Sequence, residues 1–327
     1  MPVAELTIIL RNLRMVLMRS VGTARVGSAL CALALLTGCG ALTEGAGAGD
    51  GRDVVASFYP LAWVTQQVAG DAWTVSNLTT PGGEPHDLEL SIEATAALAE
   101  ADLVVYLEHF QPAVDDAVET TVEGATLEAG ATVELRPASD HTGEDHHDEE
   151  QAHDHGELDP HFWLDPTRMA ALAGAVAAEL GRLDPEGAER YRAAAAEVTA
   201  DLEALDREYA EGLRGCERDL VIVSHDAFGY LEKYGLHLEP ITGLSPDAEP
   251  TPAALADLSD LIEDEGLTTV FSERLASPAL AETLAADLEV STAVLDPLEG
   301  LDDETSGEDY LSLMRDNLAA LREANGC

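Results

Sequence analysis

The sequence predicts an α/β protein whose two lobes of parallel sheet are joined by a long helix. Short apolar runs alternate with helical patterns in both halves of the chain, and this alternation is typical of parallel sheets. Between the halves, residues 185–214 carry apolar side chains at steps of three and four over about seven turns. A helix of that length can bridge two lobes. The stripe lasts under about four heptads and uses Ala and Tyr, which disfavours a coiled coil.

The N-terminal 38 residues have the features of a bacterial lipoprotein signal peptide. Four arginines precede an apolar run, and Leu36-Thr37-Gly38-Cys39 is a small-residue cleavage pattern. The run is too short for a permanent membrane span. We expect Cys39 to become the lipidated N-terminus and to anchor the protein to the outer face of the membrane, with residues 39–51 as a flexible tether. Met1 and Met18 both remain open as the start, since a complete signal follows Met18.

The four cysteines fit an exported protein. Cys31 would leave with the signal and Cys39 would carry lipid. Cys216 and Cys327 then remain as the only pair for an oxidising compartment. We expect a disulfide that ties the C-terminus to the start of the second lobe.

The charge of the chain excludes nucleic acid as a partner. Asp and Glu number 63 against 17 Lys and Arg, which gives a formal charge of −46. Such a chain repels phosphate backbones and attracts cations. Most of the excess predicts a solvated surface adapted to salt.

The first lobe, residues 52–165, reads as four strands separated by helices. Helices begin after Pro60, after Ser91 as N-cap and at Pro112. The predicted strands cover residues 53–59, 73–78, 102–107 and 131–135.

A helical segment, residues 166–215, connects the lobes and includes the long helix at 185–214. Asp165 is its predicted N-cap and Pro166 its first helical residue. The second lobe, residues 216–327, repeats the alternation. Its predicted strands cover residues 219–223, 236–241, 268–271 and 291–295, with helices beginning near residues 225, 252, 278 and 309.

The segment 140–156 is acidic and rich in histidine, and it has no apolar periodicity. These features predict a solvated loop that binds metal weakly beside a primary site, and a charged linker is the alternative. Its histidines are His141, His146, His147, His153 and His155.

Four further side chains are the candidate metal ligands: His86, His161, His225 and Asp296. They fall at or near predicted strand ends, where open parallel sheets place their ligand sites. Three imidazoles and one carboxylate suit Zn²⁺. Taken singly, each has a structural alternative: a hydrogen-bonded core histidine for His161, a helix cap for His225 and a turn former before Pro297 for Asp296.

Five segments stand out, at residues 81–87, 159–166, 224–230, 243–250 and 296–300. Together they resemble the zinc and manganese solute-binding proteins of bacterial metal-uptake ABC transporters, the ZnuA/TroA type. The resemblance covers nearly the whole mature chain. It implies a metal held between the two lobes by His86, His161, His225 and Asp296, and an ABC permease as partner. Manganese binders of this type usually carry glutamate at the position of His225, so Zn²⁺ is favoured over Mn²⁺.

The predicted function is extracytoplasmic capture of Zn²⁺ by a monomer that delivers it to a permease. A Mn²⁺-binding member of the same family is the nearest alternative. An extracellular zinc hydrolase with Glu273 as general base is disfavoured, because Asp296 can fill the fourth metal position and no HExxH motif is present. A surface adhesin is a third class, as a role added to the same metal site.

Overall fold

The computed structural model describes residues 52–138 and 158–327. Within these ranges, strands form two parallel four-stranded sheets, in the orders β2-β1-β3-β4 and β6-β5-β7-β8. The predicted two-lobed α/β fold is therefore confirmed. The strands are β1 (Asp53–Ala56), β2 (Thr74–Asn77), β3 (Leu103–Tyr106), β4 (Ala125–Glu128), β5 (Leu220–Val223), β6 (His237–Pro240), β7 (Thr269–Ser272) and β8 (Ser291–Val294).

Four of the eight described α-helices begin at a capping side chain. The side chains of Ser91, Asp165 and Thr251 each accept a hydrogen bond from a backbone N–H in the first helical turn, at 3.1, 2.9 and 3.1 Å. In the described ranges, none of the helices is both long and apolar enough to cross a membrane. The helices are α1 (Tyr59–Ala69), α2 (Ile92–Glu100), α3 (Pro112–Thr120), α4 (Pro166–Leu183), α5 (Ala188–Gly212), α6 (Pro252–Glu265), α7 (Ala279–Asp287) and α8 (Tyr310–Asn325).

The fourth strand lies earlier than predicted. It spans Ala125–Glu128, whereas residues 131–135, predicted as a strand from their apolar alternation, begin inside the 3₁₀ turn Gly130–Thr132 and form no strand. Gly124 explains the position, because a Cβ atom there would lie 2.1 Å from the carbonyl oxygen of Ala101 and would prevent this close entry beside β3. The carboxylate of Glu128 then accepts from the N–H of Gly130 at 2.7 Å and turns the chain away.

Helix α5 joins the two lobes. Near its start, the Tyr191 hydroxyl accepts a 2.8 Å hydrogen bond from Nε1 of Trp73, which precedes β2 of the first lobe. Near its end, the Tyr209 hydroxyl donates to the carbonyl oxygen of Met314 on α8 at 2.6 Å. Both tyrosines are fully buried. The helix is thus held to a different lobe at each end, as expected of a rigid connector.

The C-terminus is fastened to the beginning of the second lobe. Cys216 and Cys327 form a disulfide, with sulfur atoms 1.98 Å apart. The backbone N–H groups of Glu217 and Arg218 both donate to the carbonyl oxygen of Asn325, at 3.0 and 3.1 Å. The pairing expected from the cysteine count is therefore present.

Several predicted features lie outside the described residues. They are the signal peptide, Cys39, the tether and the histidines His141, His146, His147, His153 and His155.

Candidate metal centre

His86 lies in the loop that follows β2. Gln111 holds this loop in place, since its Nε2 donates to the carbonyl oxygen of Pro85 and to Oγ1 of Thr79, each at 3.2 Å. The imidazole packs edge-on against Phe110, with ring centroids 4.5 Å apart. Its side chain keeps 15% of its surface exposed. His86 therefore contributes a fixed ring that still faces solvent.

His161 lies in the short segment between the two Asp-Pro pairs and is fully buried. The Oδ1 atom of Asp159 lies 2.8 Å from Nδ1 of His161 and also accepts from its backbone N–H at 3.0 Å. The ring lies against Trp163 at a centroid distance of 5.1 Å. These contacts leave Nε2 as the free ring nitrogen.

His225 follows β5 and is also fully buried. Its Nδ1 lies 2.5 Å from Oε1 of Glu273, a residue that follows β7. The hydroxyl of Ser224 donates to the same carboxylate. Glu273 thus bridges two strand ends and fixes the orientation of the imidazole.

Glu299 completes the cluster. Its Oε1 lies 3.4 Å from Nε2 of His86, 3.4 Å from Nε2 of His161 and 3.6 Å from Nε2 of His225. Ligand atoms of the four residues all lie within 4.8 Å of one another. A tetrahedral zinc ion with bonds of about 2.0–2.1 Å sets its ligand atoms about 3.3–3.4 Å apart. The distances from Glu299 to the three imidazoles therefore match the spacing of a tetrahedral zinc site.

The carboxylate of this cluster is Glu299 and not Asp296, which corrects the sequence prediction. Asp296 is buried, but its Oδ1 accepts from the backbone N–H of Leu298 at 2.8 Å. Its Oδ2 lies 3.2 Å from Nε of Arg274. The turn-former alternative for Asp296 is therefore the one that the structure supports.

Buried charge governs the electrostatics of the cluster. Burial disfavours the charged ring of His225, but the carboxylates of Glu273 and Glu299 outweigh this effect and raise its pKa to about 10. The pKa of His161 is also raised, since Asp159 and Glu299 overcome the effect of burial. For Glu299, burial would raise the pKa, but the three histidine rings that face its carboxylate lower it well below its usual range. The site is therefore built around an ionised glutamate.

Two nitrogen atoms in the cluster lack hydrogen-bond partners. Nε2 of His161 and Nε2 of His225 are buried and unsatisfied. Such atoms are costly to bury without a partner. Imidazole nitrogen and carboxylate oxygen are both ligands that zinc accepts. A bound zinc ion would satisfy both atoms at once.

The sequence of the chain matches a family of zinc-uptake proteins. The model for the periplasmic component A of zinc-uptake complexes, ZnuA, matches residues 54–324. The chain belongs to this family. The zinc-binding lipoprotein AdcA of Streptococcus pneumoniae (strain TIGR4) is 38% identical over 304 residues. The high-affinity zinc uptake system protein ZnuA of Bacillus subtilis (strain 168) is 35% identical over 282 residues.

Coverage differs between these ZnuA-family relatives. The AdcA alignment covers 90% of this chain but 59% of AdcA, so the chain spans little more than half of that protein. The alignment with Bacillus subtilis ZnuA covers 84% of this chain and 88% of that protein. The crystal structure of the Zn(II)-bound ZnuA-like domain of Streptococcus pneumoniae AdcA matches with a TM-score of 0.70 and 35% identity, over 85% of this chain and all of that domain.

The structure brings together three of the four predicted ligands, His86, His161 and His225. Sequence reasoning missed Glu299 as a member of the cluster. A signal was available, because an Asp directly before a proline commonly bonds to its own turn. The next carboxylate after that turn was then the better candidate. Asp159 and Glu273 were also not identified as partners of histidine. Glu273 lies 48 residues from His225, so only the fold brings them together, whereas Asp159 lies two residues before His161.

Proposed function

We propose that this ZnuA-family protein captures Zn²⁺ outside the cytoplasm and delivers it to an ABC permease. The observation that supports this most directly is the cluster of three histidine Nε2 atoms around Oε1 of Glu299, at oxygen–nitrogen distances that suit a tetrahedral zinc ion. The relatives are named as zinc-binding and zinc-uptake proteins. All four ligand groups come from one chain, so one copy holds the ion, and we propose that the protein acts as a monomer.

The donor set favours zinc over manganese. Imidazole suits Zn²⁺, whereas Mn²⁺ prefers carboxylate, carbonyl and water oxygen. Three of the four donors here are imidazoles, and two of these are fully buried. Zinc is therefore the proposed cargo.

The same arrangement favours binding over hydrolysis. A catalytic zinc keeps an open position for water, but here Glu299 supplies a fourth donor. Glu273, the candidate general base of a hydrolase, is engaged by Ser224 and by Nδ1 of His225. We therefore propose that the protein is a carrier and not an enzyme.

The N-terminal sequence supports an extracytoplasmic location. We propose removal of residues 1–38 and lipidation of Cys39, which would keep the protein beside its permease. The name of the AdcA relative, a zinc-binding lipoprotein, supports this anchor. We also propose that the histidines of residues 140–156 supply weaker sites. Deletion of that segment should then remove weak zinc equivalents and leave the tight one.

Competition with a chromogenic chelator tests the site. The purified mature protein should bind one zinc ion tightly, and His161→Ala should weaken that binding by orders of magnitude. His237→Ala is the matched control, since His237 is an exposed histidine at the start of β6. Wild-type affinity in His161→Ala would contradict the proposed site.

Delivery needs a cellular test. A bacterial strain that lacks its own zinc-binding component but retains the permease should grow under zinc limitation when it expresses the wild-type chain. Expression of His161→Ala at the same level should not restore growth. Equal rescue by both proteins would refute delivery through this site.

A further inference from the structure

The turn that precedes Glu299 contains a residue with an unusual backbone conformation. Leu298 has φ of 59°, in the left-handed region that is sterically unfavourable for a residue with a Cβ atom. Within residues 52–138 and 158–327, only His109 and Glu289 share a positive φ among non-glycine residues, and both are exposed. Leu298 is fully buried. Surrounding contacts must therefore hold it in this conformation.

Asp296 makes the local contact that stabilises the turn. Its Oδ1 accepts a 2.8 Å hydrogen bond from the N–H of Leu298. Its Oδ2 lies 3.2 Å from Nε of Arg274, which follows Glu273 in the chain. A carboxylate that bonds two residues ahead closes an Asx turn. The charge of Arg274 keeps that carboxylate in place.

Two other segments fasten the same turn. Nε1 of Trp163 donates to the carbonyl oxygen of Pro297 at 2.7 Å, and Trp163 lies two residues after His161. Asn317 of α8 accepts from the N–H of Asp296 at 2.8 Å and donates to its carbonyl oxygen at 2.6 Å. Trp163 thus ties the turn to the segment that contains His161. Arg274 ties it to the segment that contains Glu273, the partner of His225.

We propose that Asp296 is the positioning residue for Glu299, because it holds Leu298 in the left-handed conformation that directs the Glu299 carboxylate toward the three histidines. This inference rests on the proposed function, since Glu299 matters here as a zinc ligand. Asp296 does not touch the metal. It acts only through the direction of the chain at Glu299.

A double-mutant cycle between Asp296 and Glu299 tests the proposal. Asp296→Ala should weaken zinc binding of the full mature chain by about 10- to 100-fold, as is typical when an outer contact of a ligand is lost. Asp296→Asn keeps an oxygen acceptor for Leu298 and should lose less. In a Glu299→Gln background, Asp296→Ala should change zinc affinity little, because the group that it positions is already altered. Equal loss in both backgrounds would overturn the proposal.

Substitution of Leu298 by glycine provides an independent test of the positioning role. Glycine adopts positive φ without steric cost, so Asp296→Ala/Leu298→Gly should recover part of the affinity that Asp296→Ala loses. The visible absorption of the Co²⁺-loaded proteins should show tetrahedral coordination disturbed in Asp296→Ala and restored in the double variant. If Asp296→Ala does not fold, as judged by circular dichroism, Asp296→Asn and the glycine double variant complete the cycle.

The outcomes separate this inference from the proposed function. Failure of the wild-type chain to bind zinc would refute the function. Tight zinc binding by the wild type, with Asp296→Ala unchanged in affinity and in Co²⁺ spectrum, would refute only the positioning role.

Discussion

The carboxylate of Glu273 lies 2.5 Å from Nδ1 of His225, while Nε2 of the same ring faces Glu299 in the cluster of candidate ligands. Asp159 and His161 repeat this relationship at 2.8 Å. A carboxylate that accepts the Nδ1 proton leaves the Nε2 lone pair free for a metal and makes it more basic. Two of the three histidines therefore have a carboxylate that orients them before zinc arrives.

Replacing Glu273 tests the value of that orientation. Glu273→Gln keeps the shape of the side chain but removes the charge that His225 faces, so zinc affinity should fall by about 10- to 100-fold. Chelator competition at neutral pH measures the change. Glu263→Gln, an exposed site on α6 with the same change in charge, is the control. Equal affinities in the two variants would show that Glu273 has no role in binding.

Metal preference should respond to the donor atom at position 225. A carboxylate there supplies oxygen, which Mn²⁺ accepts more readily than imidazole. Because a second carboxylate would repel Glu273, the informative variant is His225→Glu/Glu273→Gln, compared with Glu273→Gln alone. The ratio of zinc to manganese affinity should fall roughly tenfold or more. Calorimetric titration with each metal gives this ratio, and an unchanged ratio would contradict the assignment of His225 as a ligand.

Zinc binding should strengthen as pH rises. In the metal-free protein burial opposes the charged form, but Glu273 and Glu299 raise the pKa of His225 from 6.5 to about 10, so zinc must displace a proton at neutral pH. Affinity should therefore increase from about pH 6.5 toward 10. The stability of the metal-free protein should change in the opposite direction. The raised pKa of His225 stabilises the folded protein fully below about pH 6.5, and this stabilisation is lost as pH rises through about 10.

Thermal melts with and without chelator-buffered zinc test the pH dependence of zinc binding and of the stability of the metal-free protein together. The zinc-induced increase in Tm should grow with pH across that window, and His237→Ala should behave like the wild type. A zinc-induced shift that does not depend on pH would show that no proton leaves the site on binding.

The disulfide should affect stability and not zinc binding. Cys216 and Cys327 are separated by 111 residues, and opening a loop of that size costs about 4–5 kcal/mol in the chain-entropy estimate. The double substitution to Ser should lower the free energy of unfolding in urea by an amount of that order. Zinc affinity should be unchanged, because Tyr209 still holds α8 through Met314. An unchanged unfolding midpoint would contradict this contribution.

Much of the architecture could be predicted because it depends on local signals. Proline after a capping side chain marks the start of α4 and α6, and the period of the apolar residues identifies α5. The position of β4 could not be predicted, because the apolar alternation of residues 131–135 is as strand-like as that of the true strand. What decides the register is the close approach of Gly124 to Ala101, a tertiary contact.

The candidate site likewise combines features set by local sequence with features set by tertiary contacts. His86, His161 and His225 follow from ligand chemistry and from their places near strand ends. The Asp-Pro pair at 296–297 is a local signal that Asp296 bonds to its own turn, but the left-handed backbone of Leu298 cannot be predicted from the sequence. Asp296 bonds to Leu298 directly, and Trp163 and Asn317, which are distant in sequence, fasten the residues before it.

The most direct test of this account is anomalous diffraction at the zinc edge from crystals of the zinc-loaded protein. We expect one strong zinc peak in the cluster, with Nε2 of His86, His161 and His225 and a carboxylate oxygen of Glu299 at about 2.0–2.2 Å. Asp296 should remain bonded to the N–H of Leu298. A zinc ion coordinated by Asp296, or one bound without His161, would contradict the account.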